Sequence, residues 1–267
     1  MISQYKQEVS KYGKKDGIIA LCFFAYIVAA HFFPNAILSV FDIHLTGLSR
    51  AVQSFVVFAI PCIALVLIRK QGLSSIGFHR KNLLPALLTG VIFSVLVLVL
   101  YGNLVSGISQ GWELHNSGTL ANIFLATLFF AAWEDIVMMG FVQTRIYGLI
   151  KNNVIAVAVG ALLFAVMHIP VPFATYGIAI FNITLLLDIV GWMGAFVVWN
   201  LVFRRYFSIY PLILLHTFWN FSGRIWYSGG QGLDTTVSFI LLVLVISAWA
   251  WLSYRHAKKG TKASALK

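Results

Sequence analysis

Glu134 and Asp135 stand side by side inside an apolar run, where Ile123-Phe124-Leu125-Ala126-Thr127-Leu128-Phe129-Phe130-Ala131-Ala132 leads into Trp133-Glu134-Asp135-Ile136-Val137-Met138-Met139-Gly140. An acid at the centre of a membrane helix costs about 2.5–3.5 kcal/mol on insertion scales, so it faces protein or a wet cavity rather than lipid. Two histidines share that setting. His168 ends Phe164-Ala165-Val166-Met167-His168, and His216 opens His216-Thr217-Phe218-Trp219-Asn220. Residues four apart lie on nearly one face of an α-helix, so His216 and Asn220 project together and Phe164 stacks beneath His168 as an aromatic wall. A carboxylate beside an imidazole can take a proton from water, and an imidazole with an amide can bind an oxyanion. The chemistry these types suit is the binding of a water and an oxyanion with transfer of a proton. The same residues also fit two other readings, a structural buried pair that ties helices together and a proton relay in a carrier.

The elements that must position them are membrane helices. Of 267 residues, 60% are hydrophobic and 10% charged, with a mean hydropathy of +0.88. Soluble domains carry roughly 25% charged residues. Apolar runs at 17–33, 51–68, 83–106, 119–143, 154–170, 178–200, 209–227 and 235–253 give eight expected spans in one transmembrane domain covering 1–267. The fold class is therefore all-α, a polytopic membrane helical bundle. With the N-terminus inside, Arg50 and Arg224 are the outer cations and the remaining seventeen Lys and Arg fall on the inner side. That asymmetry places both termini in the cytoplasm, with residues 1–16 and 255–267 as basic tails. The net charge of +11 thus reflects orientation, and nucleic acid is not an expected partner. Val28-Ala29-Ala30 is a weak signal-cleavage candidate; the charge count favours an uncleaved first span. No internal repeat marks the sequence, which argues against a carrier built of two related halves with broken helices.

Counting from the span ends, Glu134, His216 and Asn220 lie near the midplane. His168 falls roughly 5–10 Å toward the outer side at 1.5 Å per residue, an offset that a tilted or shorter fifth helix would absorb. The other five histidines sit in loops or at span ends, and Cys22 and Cys62 lie in apolar runs, where packing explains them. Residues 71–78 read as a short amphipathic connector and 107–118 as an outer loop. Asp188 is a further intramembrane acid, for which a structural role is expected. Trp192, Trp199, Trp219 and Trp226 recur near span ends or helix contacts, and interfacial anchoring explains most of them.

The order Glu-Asp, then Phe-x-x-x-His, then His-x-x-x-Asn on three helices resembles the CPBP family, also called Abi or CAAX protease and bacteriocin-processing proteins. The resemblance covers about residues 119–222, and Gly140-Phe141-Val142-Gln143 and Ser208-Ile209-Tyr210-Pro211 agree with it. It implies an intramembrane endopeptidase, similar to CAAX prenyl proteases, that hydrolyses a peptide bond without a covalent intermediate in a cytoplasm-facing cavity. By the same resemblance Glu134 and His168 activate water, His216 and Asn220 stabilise the oxyanion, and Asp135 and Phe164 support them. No cofactor is implied; a Glu with two His is a possible zinc set, but a glutamate-dependent route without metal is favoured. The implied partners are a membrane-associated peptide or protein substrate and the lipid bilayer of the cell membrane, which the chain crosses many times.

Two positions depart from the family pattern Glu-Glu-x-x-x-Arg. Asp135 replaces the second Glu, and Met139 stands where Arg is expected, one turn from that acid. Asp135 then needs a proton or another partner. Arg145 shares the helix face but lies about 16 Å along the axis from Glu134, too far for a direct pair. The alternative function is a non-catalytic relative that binds peptide or lipid, in bacteriocin immunity or as a scaffold.

Overall fold

The computed structural model describes residues 2–40, 47–80, 82–100, 104–170, 173, 177–228, 244–246 and 248–249. Most of them are helical: α1 (Ile2–Val9), α2 (Lys14–Val40), α3 (Gly47–Ile68), α4 (Leu83–Leu100), α5 (Leu104–Ser109), α6 (Ser117–Ile146), α7 (Asn153–His168), α8 (Ile183–Tyr206) and α9 (Tyr210–Ser222). Four of these, α3, α4, α6 and α8, are long and apolar enough to cross a bilayer, and α7 is a shorter apolar helix. Seven of the eight expected runs fall on helices. The run at 83–106 divides between α4 and α5, and the last, 235–253, lies largely outside the described residues.

α6 is the axis of the bundle. Its apolar window is 61% inside the molecule, against 28% to 39% for α3, α4 and α8. It packs against α3 and α9, while α4 packs on α9 and α7 on α8. The lipid-facing sides are apolar as well, with Leu84, Leu88, Val91 and Val95 of α4 exposed. Such a helix has no polar face to orient it, so packing and polar contacts inside the bundle set its rotation.

Two helices are interrupted by wide π turns, Phe55–Ala59 in α3 and Asp135–Val142 in α6. In α6 the Gln143 N–H reaches five residues back to the Met138 carbonyl. Such turns concentrate at functional sites, and this one begins directly after Glu134. Asn152 caps α7 by accepting from the Val154 and Ile155 N–H groups, and Asn182 caps α8 likewise on Thr184 and Leu185. Phe207, at φ 46°, ends α8, and Pro211 in the first turn of α9 starts the return.

The connector after α3 plugs into the bundle. Leu73–Ile76 forms a 3-10 turn with Ser75 and Ile76 buried and Leu73 exposed. Gly77, at φ 95°, accepts from the Ile209 N–H at 3.0 Å. Gly140 allows the approach, since a β-carbon there would lie 2.7 Å from the Ile76 carbonyl oxygen. Residues 2–9, within the expected tail, form a helix that docks on the bundle. Tyr5 is buried with its ring edge-on to Tyr147, Phe203 and Phe207. The expected outer loop holds Glu113–Leu114, paired antiparallel with Trp226–Ser228.

Candidate active site

α6, α7 and α9 each bring one group to a common point. Glu134 Oε2 lies 3.7 Å from His168 Nε2 and 3.6 Å from His216 Nε2. Both separations exceed direct hydrogen-bond length, and Glu134 Oε2 is buried without a hydrogen-bond partner among the described residues. The offset counted from the span ends does not keep His168 from Glu134: α7 is 16 residues long and places His168, its last residue, beside the acid.

Each imidazole is fixed from its far side. His168 Nδ1 donates to the Phe164 carbonyl at 2.7 Å. A carbonyl only accepts, so Nδ1 carries the proton and Nε2 is turned toward Glu134. His216 Nδ1 meets Asp135 Oδ1 at 3.3 Å. Asp135 is buried and its Oδ2 makes no hydrogen bond among the described residues. Successive side chains diverge by about 100° on an α-helix, yet Glu134 and Asp135 address opposite edges of one ring, from the point where α6 passes into its π turn.

Aromatic faces complete the cluster. The Phe164 ring meets His168 edge-on at 4.6 Å. From α8, Trp192 stacks on His168 at 4.9 Å and Trp199 stacks on His216 at 4.1 Å. Of the four tryptophans expected near span ends or helix contacts, Trp192 and Trp199 are at helix contacts, each facing an imidazole. Their seven-residue spacing, two turns on one face, was the available signal. Asn220 lies one turn beyond His216 on α9 and is half-buried; among the described residues Glu134 pairs with His168 and His216 and not with Asn220. Asp188 is exposed on α8 and takes no part in the cluster.

The departures from the family pattern have local answers. Asp135 has His216 as its partner. Met139 is buried, with the Asn200 Nδ2 amide 3.9 Å from its sulfur. Arg145 turns away from the acids to a separate set of partners, Gln71, Ser75, Gly140 and Thr144. Among the described residues no three His, Cys, Asp or Glu side chains are grouped to hold a metal ion.

Residues 116–222 match the model of a family described as Rce1-like, type II CAAX prenyl endopeptidase Rce1-like. That family is the CPBP family, and the similarity spans residues 116–222. No curated protein matches the chain. The match begins at Asn116, whose side chain caps α6, and ends at Ser222, the last residue of α9. The matched region thus holds the whole Glu134–His168–His216 cluster together with Asp135, Phe164, Asn220, Trp192 and Trp199. CPBP proteins of this type form a protease family, and the apolar helices make the chain a membrane protein.

Proposed function

We propose that the chain is an intramembrane endopeptidase that hydrolyses a membrane-associated peptide or protein substrate. The observation that carries this is the convergence of His168 Nε2 and His216 Nε2 on one buried oxygen of Glu134. Two imidazole nitrogens and a carboxylate oxygen are all acceptors unless a proton lies between them. A water held there donates its protons to Glu134 and His168, which polarises it toward the scissile carbonyl. As the water oxygen adds to the carbonyl carbon, Glu134 takes its proton. His216 Nε2–H and the Asn220 amide donate to the developing oxyanion. For that, His216 carries two protons, and the Asp135 carboxylate at Nδ1 supplies the compensating charge. Glu134 then passes its proton to the leaving amine as the C–N bond breaks, so no covalent intermediate forms.

This route assigns no step to a metal. The protein resides in the cell membrane with both termini in the cytoplasm, on the strength of the charge asymmetry, and the cavity opens to that side. The experiment is cleavage of a membrane-peptide library by the purified protein, read by mass spectrometry, with Glu134→Ala in parallel and excess chelator as a second arm. Cleavage that vanishes in the variant and survives the chelator supports the proposal. Binding of peptide by both proteins with cleavage by neither favours the non-catalytic relative, a reading kept alive by Met139 in place of the expected Arg.

A further inference from the structure

We propose that Trp199 and Trp192 are positioning residues, which hold the ring planes of His216 and His168 toward Glu134. The assignment rests on the hydrolase reading for what the rings do, and on geometry alone for what the indoles do. A hydrogen bond at Nδ1 fixes one corner of an imidazole but leaves the ring free to swing about that corner. A face-to-face neighbour removes the swing. His216 has Asp135 on its Nδ1 edge at 3.3 Å and the Trp199 indole across its face at 4.1 Å, with 29° between the planes. His168 has the Phe164 carbonyl on Nδ1 at 2.7 Å and Trp192 across its face at 4.9 Å, with 21° between the planes.

The two indoles come from one face of one helix, so α8 acts as a rail beneath both rings. Its register is itself fixed. Trp199 is 4% exposed and packs edge-on against Phe164 and Trp219. A tryptophan that anchors a helix at the headgroups keeps its N–H end wet, and the buried Trp199 does not meet that condition. An indole face also favours a cation above it, which suits an imidazole that donates to an oxyanion. Trp199 is the stronger of the two because its stack is closer and drier.

The test uses the full chain in nanodiscs with 13Cε1-labelled histidine. His216→Gln and His168→Gln assign the two signals, and Trp199→Phe, Trp199→Leu, Trp192→Phe and Trp192→Leu are compared with the parent. Ring currents from the indoles displace both Hε1 signals upfield. The Leu variants abolish that displacement, each at its own histidine, and the Phe variants retain part of it. In the peptide assay Trp199→Leu lowers kcat about ten- to a hundredfold with KM within about threefold, and Trp199→Phe restores most of the loss. Trp192→Leu lowers kcat by less. Unmoved histidine signals in folded Leu variants overturn the proposal, as does a kcat within about twofold of the parent once the Trp199 stack is gone. If Trp199→Leu does not fold, Trp199→Phe and Trp192→Leu carry the same comparison. A parent protein that cleaves nothing removes the hydrolase reading, while the histidine signals still decide whether the indoles position the rings.

Discussion

One buried stretch of α6 carries two ionic centres, and they are built in opposite ways. At its upper end Glu134 faces two histidines at 3.6 and 3.7 Å with no direct hydrogen bond, and one oxygen of Asp135 is likewise unpaired among the described residues. Three turns on, Arg145 is bonded through both terminal guanidinium nitrogens, with Nε alone of its donors unpaired among the described residues. It donates to the Ser75 carbonyl and hydroxyl, the Gly140 carbonyl, Thr144 Oγ1 and Gln71 Oε1 at 2.7–3.2 Å, and lies between the Tyr12 and Phe141 rings. The first cluster holds acids and bases ready for a further group. The second is a lock that fastens the 71–77 connector to α6. A buried charge with no direct hydrogen bond at its key oxygen is a sign of function, whereas one that spends most of its donors on another segment is a sign of structure.

The sharpest way to break this contrast is Glu134→Gln, which keeps the shape and removes the base. Initial cleavage rates should fall about a thousandfold, while the thermal midpoint holds or rises, because a buried, under-bonded acid is not there for stability. A large loss of stability with Glu134→Gln would erase the distinction. Arg145→Met is the mirror experiment. It strips the connector of its donors, and denaturant unfolding should show a loss of about 3 kcal/mol. Activity per folded molecule should stay within about threefold of the parent. Asp135→Asn falls between them: the amide can still meet His216 but carries no charge. A fall in kcat of about ten- to a hundredfold with KM little changed would separate an acid that tunes His216 from one that merely packs.

The two centres also differed in how far the sequence revealed them. Glu134, His168 and His216 were legible because each is an ionisable residue in an apolar run, and because the spacing within Phe164–His168 and His216–Asn220 is helical. Their meeting at Glu134 was not, since it depends on three helices and on a π turn that no residue pattern announces. Arg145 was legible as an inner-side cation on the face of the acids, too far along the helix to pair with Glu134; its actual partners Gln71 and Ser75 lie on a distant connector. The docking of that connector turns on Gly140, whose need for space becomes visible only with the Ile76 carbonyl beside it. The specific partner of Trp199 was hidden for the same reason, as His216 sits on another helix. Local periodicity specifies helices, but the faces they share are set by pairs far apart in the chain.

The smallest expected effect lies at the margin of the Arg145 lock. Gln71, which accepts from Arg145, also donates to Asp16 Oδ1 at 3.2 Å, and Arg69 donates to the same oxygen at 2.6 Å. The Gly13 N–H donates to Asp16 Oδ2 at 3.0 Å and caps the start of α2. Burial works against ionised Asp16, yet the Gly13 N–H, Arg69 and Gln71 together hold its carboxyl below the usual carboxylate range. A depressed folded-state value means the unfolded chain binds the proton more readily. The stabilisation is therefore complete above the ordinary Asp value of about 3.9 and is lost as pH falls through the lower folded-state value. Asp16 and Arg69 keep part of their surface in solvent, so Asp16→Asn should lower stability by only about 1 kcal/mol near neutral pH. That deficit should shrink toward zero when unfolding is followed below about pH 4. A deficit that stays constant with pH would mean the carboxylate charge contributes nothing at this point and that the lock ends at Gln71.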